Sequence, residues 1–267
     1  MSNASAVATI WHHRGLLRAL ATRDIQNRYA GSAAGALWAL LNPIAMLGIY
    51  AVVFEYVFRV RVPNLDTDQP FVLFVALALW PWLAFQEAVT RGTLAVQNNA
   101  SLVKKVAFPH ELLVYSAVAA SFAVHMCGFM VVLAVLSTLG YAIYFWALPA
   151  VLISVLSLLL LATAVALLLG ALQVFVRDVE QVLSQVMSVL FYATPILYPM
   201  SLVPRWLSDV MQWNPLVHML EAVRNALLHT AEAHWSQIGI MVTGTVVVFY
   251  LARRFFLKLS PHFEDMV

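Results

Sequence analysis

The chain has 267 residues, of which 63% are hydrophobic and only 10% are charged. A soluble domain typically carries about 25% charged residues, so a water-soluble fold of this length is excluded. The formal net charge of +2 excludes the strongly basic field of a nucleic-acid-binding protein, and the single cysteine, Cys127, excludes an intrachain disulfide. The composition therefore indicates an integral membrane protein.

Apolar stretches long enough to cross a bilayer recur along the chain. We predict an all-α integral membrane fold, organised as a single membrane domain over 1–267, with six transmembrane helices. The predicted spans are 36–58, 71–91, 112–139, 144–170, 182–199 and 235–253. The fifth span carries Ser184, Gln185 and Ser188, and a polar face inside a membrane is typical of a cavity lining.

The segments outside the spans predict further short helices. We expect residues 1–35 to form a cytoplasmic helix that lies in the membrane interface, although its apolar residues do not share one clean face. The external segment 199–235 has the pattern of two helical pieces that break at Asn214 and Pro215. Because each piece is too short to span, short re-entrant or interfacial helices are predicted between spans five and six.

Lysines and arginines are distributed unevenly between the two sides of this arrangement. Eleven lie on the side that holds both ends of the chain and four lie on the other side. The positive-inside rule therefore predicts a multi-pass membrane protein with both ends in the cytoplasm.

Motifs for catalysis and for nucleotide binding are absent from the sequence. There is no G-x-x-x-x-G-K-[ST] phosphate loop, no H-E-x-x-H and no C-x-x-C, so neither an enzyme nor a metal site is predicted. Within the spans, His125 is predicted to be a hydrogen-bonded packing residue. Three helix-end ion pairs are predicted: Glu55 with Arg59, Glu87 with Arg91, and Arg177 with Glu180.

Small and aromatic residues predict packing features of the spans. Ala162, Ala166 and Gly170 stand four residues apart, which lets helices approach closely. Trp80 and Trp82 flank Pro81, and this cluster is interpreted as an interfacial belt or a kink.

Six short motifs follow one another along nearly the whole chain. They are RYAGSAAGALW at 28–38, LVKKVAFP at 102–109, FVRD at 175–178, YATPILYP at 192–199, WNPL at 213–216 and SPHFED at 260–265. In this order they resemble the permease (transmembrane) subunits of polysaccharide-exporting ATP-binding-cassette transporters, which export capsular polysaccharide, O-antigen and teichoic acid. The family pattern commonly has leucine where Ala34 stands and a basic residue where Gly31 stands.

The resemblance implies a homodimer of permeases in the bacterial inner membrane that binds two copies of a separate ATPase subunit. That subunit would hold ATP and Mg²⁺, so this chain would bind no cofactor, and no nucleic acid is expected. The implied substrate is a lipid-linked polysaccharide made in the cytoplasm, and periplasmic export proteins are possible further partners. Two alternatives stay open: a permease for drugs or other lipids, and a membrane-embedded transferase, for which Asp66 and Asp68 are the nearest approach to an acidic cluster.

The cytoplasmic loop before the third span is the strongest candidate contact for the ATPase, because it combines cations with an apolar knob. The predicted coupling residues are Val103, Lys104, Lys105, Val106, Phe108, Pro109, His110, Glu111 and Arg28. The positive-inside rule alone also explains two lysines at this point, so the resemblance supports this assignment more than the residues do.

A glycan channel needs aromatic faces for sugar rings and hydroxyls for hydrogen bonds. Candidate channel-lining residues are Trp38, Tyr50, Phe54, Ser184, Ser188, Phe191, Tyr192 and Tyr198. Aromatic residues also collect at membrane interfaces, which is the alternative explanation for each ring. Trp213, Asn214 and Pro215 are predicted to form an external gate, a lid over the exit.

Overall fold

The computed structural model describes residues 5–31, 35–57, 71–141, 143–144, 147–228 and 235–267, and every regular element within them is a helix. The α-helices are α1 (Ala6–His12), α2 (Arg14–Tyr29), α3 (Trp38–Ala51), α4 (Phe71–Leu94), α5 (Ala100–Lys105), α6 (Glu111–Thr138), α7 (Leu148–Phe175), α8 (Val179–Tyr192), α9 (Arg205–Met211), α10 (Pro215–Leu228), α11 (Trp235–Leu259) and α12 (Phe263–Met266). The predicted all-α class is confirmed. Arg59, the predicted partner of Glu55, lies outside the described residues, as do Asp66 and Asp68.

Four of these helices, α4, α6, α7 and α11, are long and apolar enough to cross a membrane. They match the second, third, fourth and sixth predicted spans. The fourth begins later than predicted, because the Tyr144 amide donates to the Leu227 carbonyl at 2.9 Å and holds the chain outside the helix. Pro149 then occupies the first turn of α7, where its missing N–H leaves no helical bond unmade.

The first and fifth predicted spans form shorter helices. α3 continues through one π-helical stretch, Val52–Val57, and residue 58 lies outside the described part of the chain. α8 ends at Tyr192, so the predicted helical span over 182–199 is wrong for the residues after 192. Pro195 and Pro199 explain the early end, since proline lacks an amide hydrogen and disfavours helical geometry at the preceding residue.

Helix α4 lies at the centre of the bundle, where it packs against α6, α7 and α10. Trp80 and Trp82 on this helix are fully buried, so their interpretation as an interfacial belt is wrong.

α4 also crosses α7 at very short range. A Cβ built on Gly92 would lie 2.6 Å from the Cβ of Ala166, and one on Gly170 would lie 3.3 Å from the Gly92 carbonyl oxygen. The close approach predicted from small residues is therefore confirmed at Ala166 and Gly170.

The predicted helices outside the spans are also present. α1 and α2 cover the first predicted segment, and α2 packs against α6 through residues that include the buried Leu20. The external segment folds as α9 and α10, with its break at the predicted position. Asn214 Oδ1 accepts the Leu216 amide at 3.0 Å, which stabilises the start of α10 as a helix cap.

Candidate functional site

A cluster of charged residues joins α2, α4 and α6, and Glu87 is its hub. The Glu87 carboxylate contacts Arg28 Nη1 and Arg91 Nε, both at 2.8 Å, and His125 Nε2 at 2.5 Å. The predicted Glu87–Arg91 pair and the hydrogen-bonded role of His125 are therefore confirmed. Arg28 also donates to Ser121 Oγ at 3.1 Å, and its side chain is 7% exposed. This arginine, predicted as a coupling contact, is directed into the bundle.

A cavity of about 430 Å³ lies beside this cluster, between α2, α4, α6 and the turn that precedes α5. Its polar lining includes Arg23, Asp24, Thr90, Arg91 and Asn98. Arg23 donates to Asn99, and Arg91 lies 3.7 Å from the Asp24 carboxylate, so the basic groups already have partners from this chain. The cavity is therefore part of the charge cluster that fixes α2 on the bundle.

The loop between α4 and α6 exposes a small surface of mixed character. Lys104, Lys105, Val106 and Ala107 are exposed in succession, and we call these four residues the coupling surface. Val106 has an extended backbone that ends α5, and its side chain is 47% exposed. Val103, also predicted here, is buried beneath the surface and holds α5 against the bundle.

His110 and Glu111, the last two residues of the predicted coupling set, are buried inside this chain. Glu111 is 2% exposed and receives Arg253 Nε and Nη2 at 2.8 and 2.9 Å, together with the Tyr115 hydroxyl at 3.0 Å. His110 Nδ1 lies 3.2 Å from Ser260 Oγ, and burial lowers the pKa of His110 from its usual value. Both side chains thus anchor the loop from within.

Some of the predicted channel-lining residues lie together. The rings of Tyr50 and Phe191 stack with centroids 6.3 Å apart, and Tyr192 meets Phe191 edge-on at 5.2 Å. Trp82, which was predicted to lie in an interfacial belt, joins them: its ring centroid is 5.9 Å from that of Phe191. Phe54 instead stacks on Phe71 at 5.2 Å, and Trp38 is half exposed on α3. Tyr198 donates its hydroxyl to the Tyr192 carbonyl.

Helix α8 turns its polar side away from the chain. Leu183 and Met187 are buried, whereas Ser184, Gln185 and Ser188 are exposed. Val182, Val186 and Val189 are exposed on the same helix, and Ser188 Oγ donates to the Ser184 carbonyl at 3.0 Å, so the outward face is of mixed character. The predicted lining hydroxyls thus lie on the outward face of a single chain.

The external segment is fastened to the chain that follows α8. Arg224 of α10 is 3% exposed, donates to the carbonyls of Pro195 and Ile196 at 2.8 and 3.2 Å, and places its guanidinium 3.6 Å from the Phe74 ring. Arg224 is one of the four basic residues that the sequence predicts on the side opposite the chain ends. A charged residue among the apolar residues of α10 was the signal that it is enclosed.

The predicted gate residues occupy the junction of α9 and α10. Asn214 Nδ2 donates to Thr194 Oγ1 at 3.1 Å, while the neighbouring Trp213 is 89% exposed. Pro215 begins α10. The junction therefore contacts the segment that follows α8 and presents a large aromatic ring outward.

Comparison with known proteins now defines the class. The family of ABC-2 type transporters matches residues 15–228, and the chain belongs to this family of integral membrane proteins. It is 30% identical over 266 residues to the O-antigen export system permease protein RfbA of Myxococcus xanthus, covering 98% of both chains. A Klebsiella pneumoniae protein of the same name is 27% identical over 255 residues, covering 94% of this chain and 95% of the relative. The polysialic acid transport protein KpsM of Escherichia coli is 21% identical over 236 residues, covering 88% and 90%. The resemblance inferred from the motifs is confirmed.

Proposed function

We propose that this chain is the permease subunit of an ATP-driven exporter that moves a lipid-linked polysaccharide of capsule or O-antigen type out of the cytoplasm. The observation that supports this most is similarity over nearly the full length to permeases named for O-antigen and for polysialic acid. ATP and Mg²⁺ bind to a separate ATPase subunit in this proposal. Two permease chains and two ATPase subunits form the complex, and periplasmic export proteins are possible further partners.

Six spans with both ends of the chain in the cytoplasm complete the proposed topology. The four long helices supply four spans, and α3 and α8 supply the first and fifth. An even number of spans puts α1 and the end of α11 on the same side, together with most of the basic residues. This places the coupling surface in the cytoplasm and the α9–α10 junction outside.

The transport path in this proposal lies along α8 and is completed by a second copy of the chain. The exposed Ser184, Gln185 and Ser188 supply hydrogen-bonding groups, and the rings of Phe191 and Tyr192 lie at the end of the same helix. The junction with Trp213, Asn214 and Pro215 forms the gate at the exit. A water-filled path explains why a helix at membrane depth presents polar side chains outward.

Cysteine labelling distinguishes a water-exposed face of α8 from a face that contacts lipid. In a Cys127→Ala background, we expect Ser188→Cys in membranes to react with a water-soluble maleimide, because this position lines the path. Val247→Cys, on the exposed face of α11, is the matched control and should react slowly because it faces lipid. Equal, slow labelling at both positions would contradict the assignment of α8 to the path.

The function and the coupling surface are tested together in the reconstituted complex. We expect lipid-linked glycan to stimulate ATP hydrolysis by the permease–ATPase complex, and we expect Val106→Asp to weaken retention of the ATPase subunit. A central apolar contact contributes about 2 kcal/mol or more, so the loss of affinity should exceed about tenfold. Co-purification and ATPase assays measure both effects.

Val210→Asp on α9 is the control, since this valine is exposed, at 63% against 47% for Val106, but lies in the external segment. It should leave ATPase binding unchanged. Stimulation by drugs or phospholipids in the absence of any response to glycan would refute the proposed substrate class. Full ATPase retention by Val106→Asp would instead refute the coupling surface.

A further inference from the structure

Segment 260–267 folds back under the loop that carries the coupling surface. Phe263 is fully buried, although it lies in a helix of only four residues. Its ring centroid is 6.1 Å from that of His110 in a stacked arrangement, 5.2 Å from that of Phe256 and 6.1 Å from that of Phe175. One side chain therefore contacts the loop before α6, the end of α11 and the end of α7.

Polar and aromatic contacts extend this cluster towards the coupling surface. The hydrogen bond between His110 Nδ1 and Ser260 Oγ is buried, so it fixes the orientation of the imidazole under Phe108. The Phe108 ring meets His110 edge-on with centroids 5.5 Å apart. Phe108 follows Ala107, the last residue of the coupling surface, so Phe263 supports that surface through the side chains of His110 and Phe108.

The loop has little local structure of its own to hold it in place. α5 is six residues long, well below the length at which an isolated helix is stable in water. Val106 is extended, and Pro109 has no amide hydrogen to donate. The position of the coupling surface therefore depends on tertiary contacts, which Val103 makes from α5 and the Phe263 cluster makes from the other side.

We propose that segment 260–267 is a brace for the coupling surface, and that Phe263 is the positioning residue that makes export depend on ATP hydrolysis. This inference rests on the proposed contact of the coupling surface with the ATPase. A partner can displace the permease only through a firmly held contact. When the brace is loosened, the loop follows the ATPase while α6, α7 and α11 stay in place, so ATP is hydrolysed without export.

The test measures export per ATP hydrolysed by the full complex in proteoliposomes. We expect Phe263→Ala to keep the ATPase bound and to reduce export per ATP about fivefold or more, within the range of typical coupling between sites. Phe263→Leu should recover most of the ratio, because it refills the buried site. Met266→Ala, an exposed position of the same short helix, should match the unsubstituted protein.

An unchanged ratio of export to hydrolysis in Phe263→Ala overturns the brace, and so does a proportional loss of both activities, which would indicate only less folded protein. Should Phe263→Ala fail to accumulate, Ser260→Ala removes the hydrogen-bonding partner of His110 alone. This milder variant must then show a reduced ratio, and an unchanged one overturns the proposal. Val106→Asp separates the two ideas: if it retains the ATPase, the coupling surface itself is refuted, whatever Phe263→Ala does.

Discussion

Glu87→Ala is expected to destabilise the permease by about 2 kcal/mol, less than for a fully buried pair, because Arg28 is left charged and nearly buried while Arg91 is 35% exposed. Arg28 is nearly buried and takes its shortest carboxylate contact from Glu87, and His125 loses the same acceptor. The fold should therefore lose the attachment of α2 to α4 and α6. The melting temperature of the purified protein in detergent measures this loss of stability.

The matched control is Glu180→Ala, since this carboxylate is exposed at the start of α8. It should change stability little. Arg28→Ala alone should be as harmful as Glu87→Ala, whereas the double variant should cost less than the sum of the two, because the partners are lost together. Strict additivity, or equal effects of the substitutions at 87 and 180, would show that Glu87 is not the hub.

Arg224→Ala is expected to have the second large effect, on the external side of the protein. The substitution removes two hydrogen bonds from a charged donor and the contact with Phe74, which together amount to about 3 kcal/mol or more. The carbonyls of Pro195 and Ile196 are then left without their donor. We expect α10 to detach from the segment after α8, and export to fall with it.

Protease added from the side proposed to be periplasmic reports this detachment, since α9 and α10 should be cut faster in Arg224→Ala. Arg205→Ala removes an exposed arginine from the same external segment and should leave the cutting rate unchanged. Arg224→Lys keeps the charge without the planar fork and should fall between the two. Unaltered protease resistance in Arg224→Ala would refute the fastening role of this side chain.

Local patterns predicted much of this fold. The apolar lengths of α4, α6, α7 and α11 marked four spans, and the adjacent Asn214 and Pro215 marked the break of the external segment. The Glu87–Arg91 pair followed from a spacing of four residues along one helix. Each of these features depends on residues that are close together in the sequence, so the sequence alone predicts it.

Contacts between distant helices could not be predicted in the same way. Glu111 looked like a loop residue, but its partner Arg253 is 142 positions away, and His110 meets Ser260 across 150 positions. Periodicity does not specify which two spans are neighbours. The predicted pair of Arg177 and Glu180 is also wrong: the Glu180 amide donates to Gln173 Oε1 at 2.9 Å, and both charged side chains are exposed.

The crossing of α4 and α7 has no room for a methyl group on Gly92, and one on Gly170 would press on the Gly92 carbonyl oxygen. Gly92 and Gly170 therefore set the distance between α4 and α7, and a larger residue at Gly92 would force the two helices apart. Five residues, 95–99, separate the end of α4 from the start of α5, and α10 packs against both α4 and α7. The loop that carries the coupling surface and the helix that carries Arg224 are therefore joined through one closely packed pair of helices.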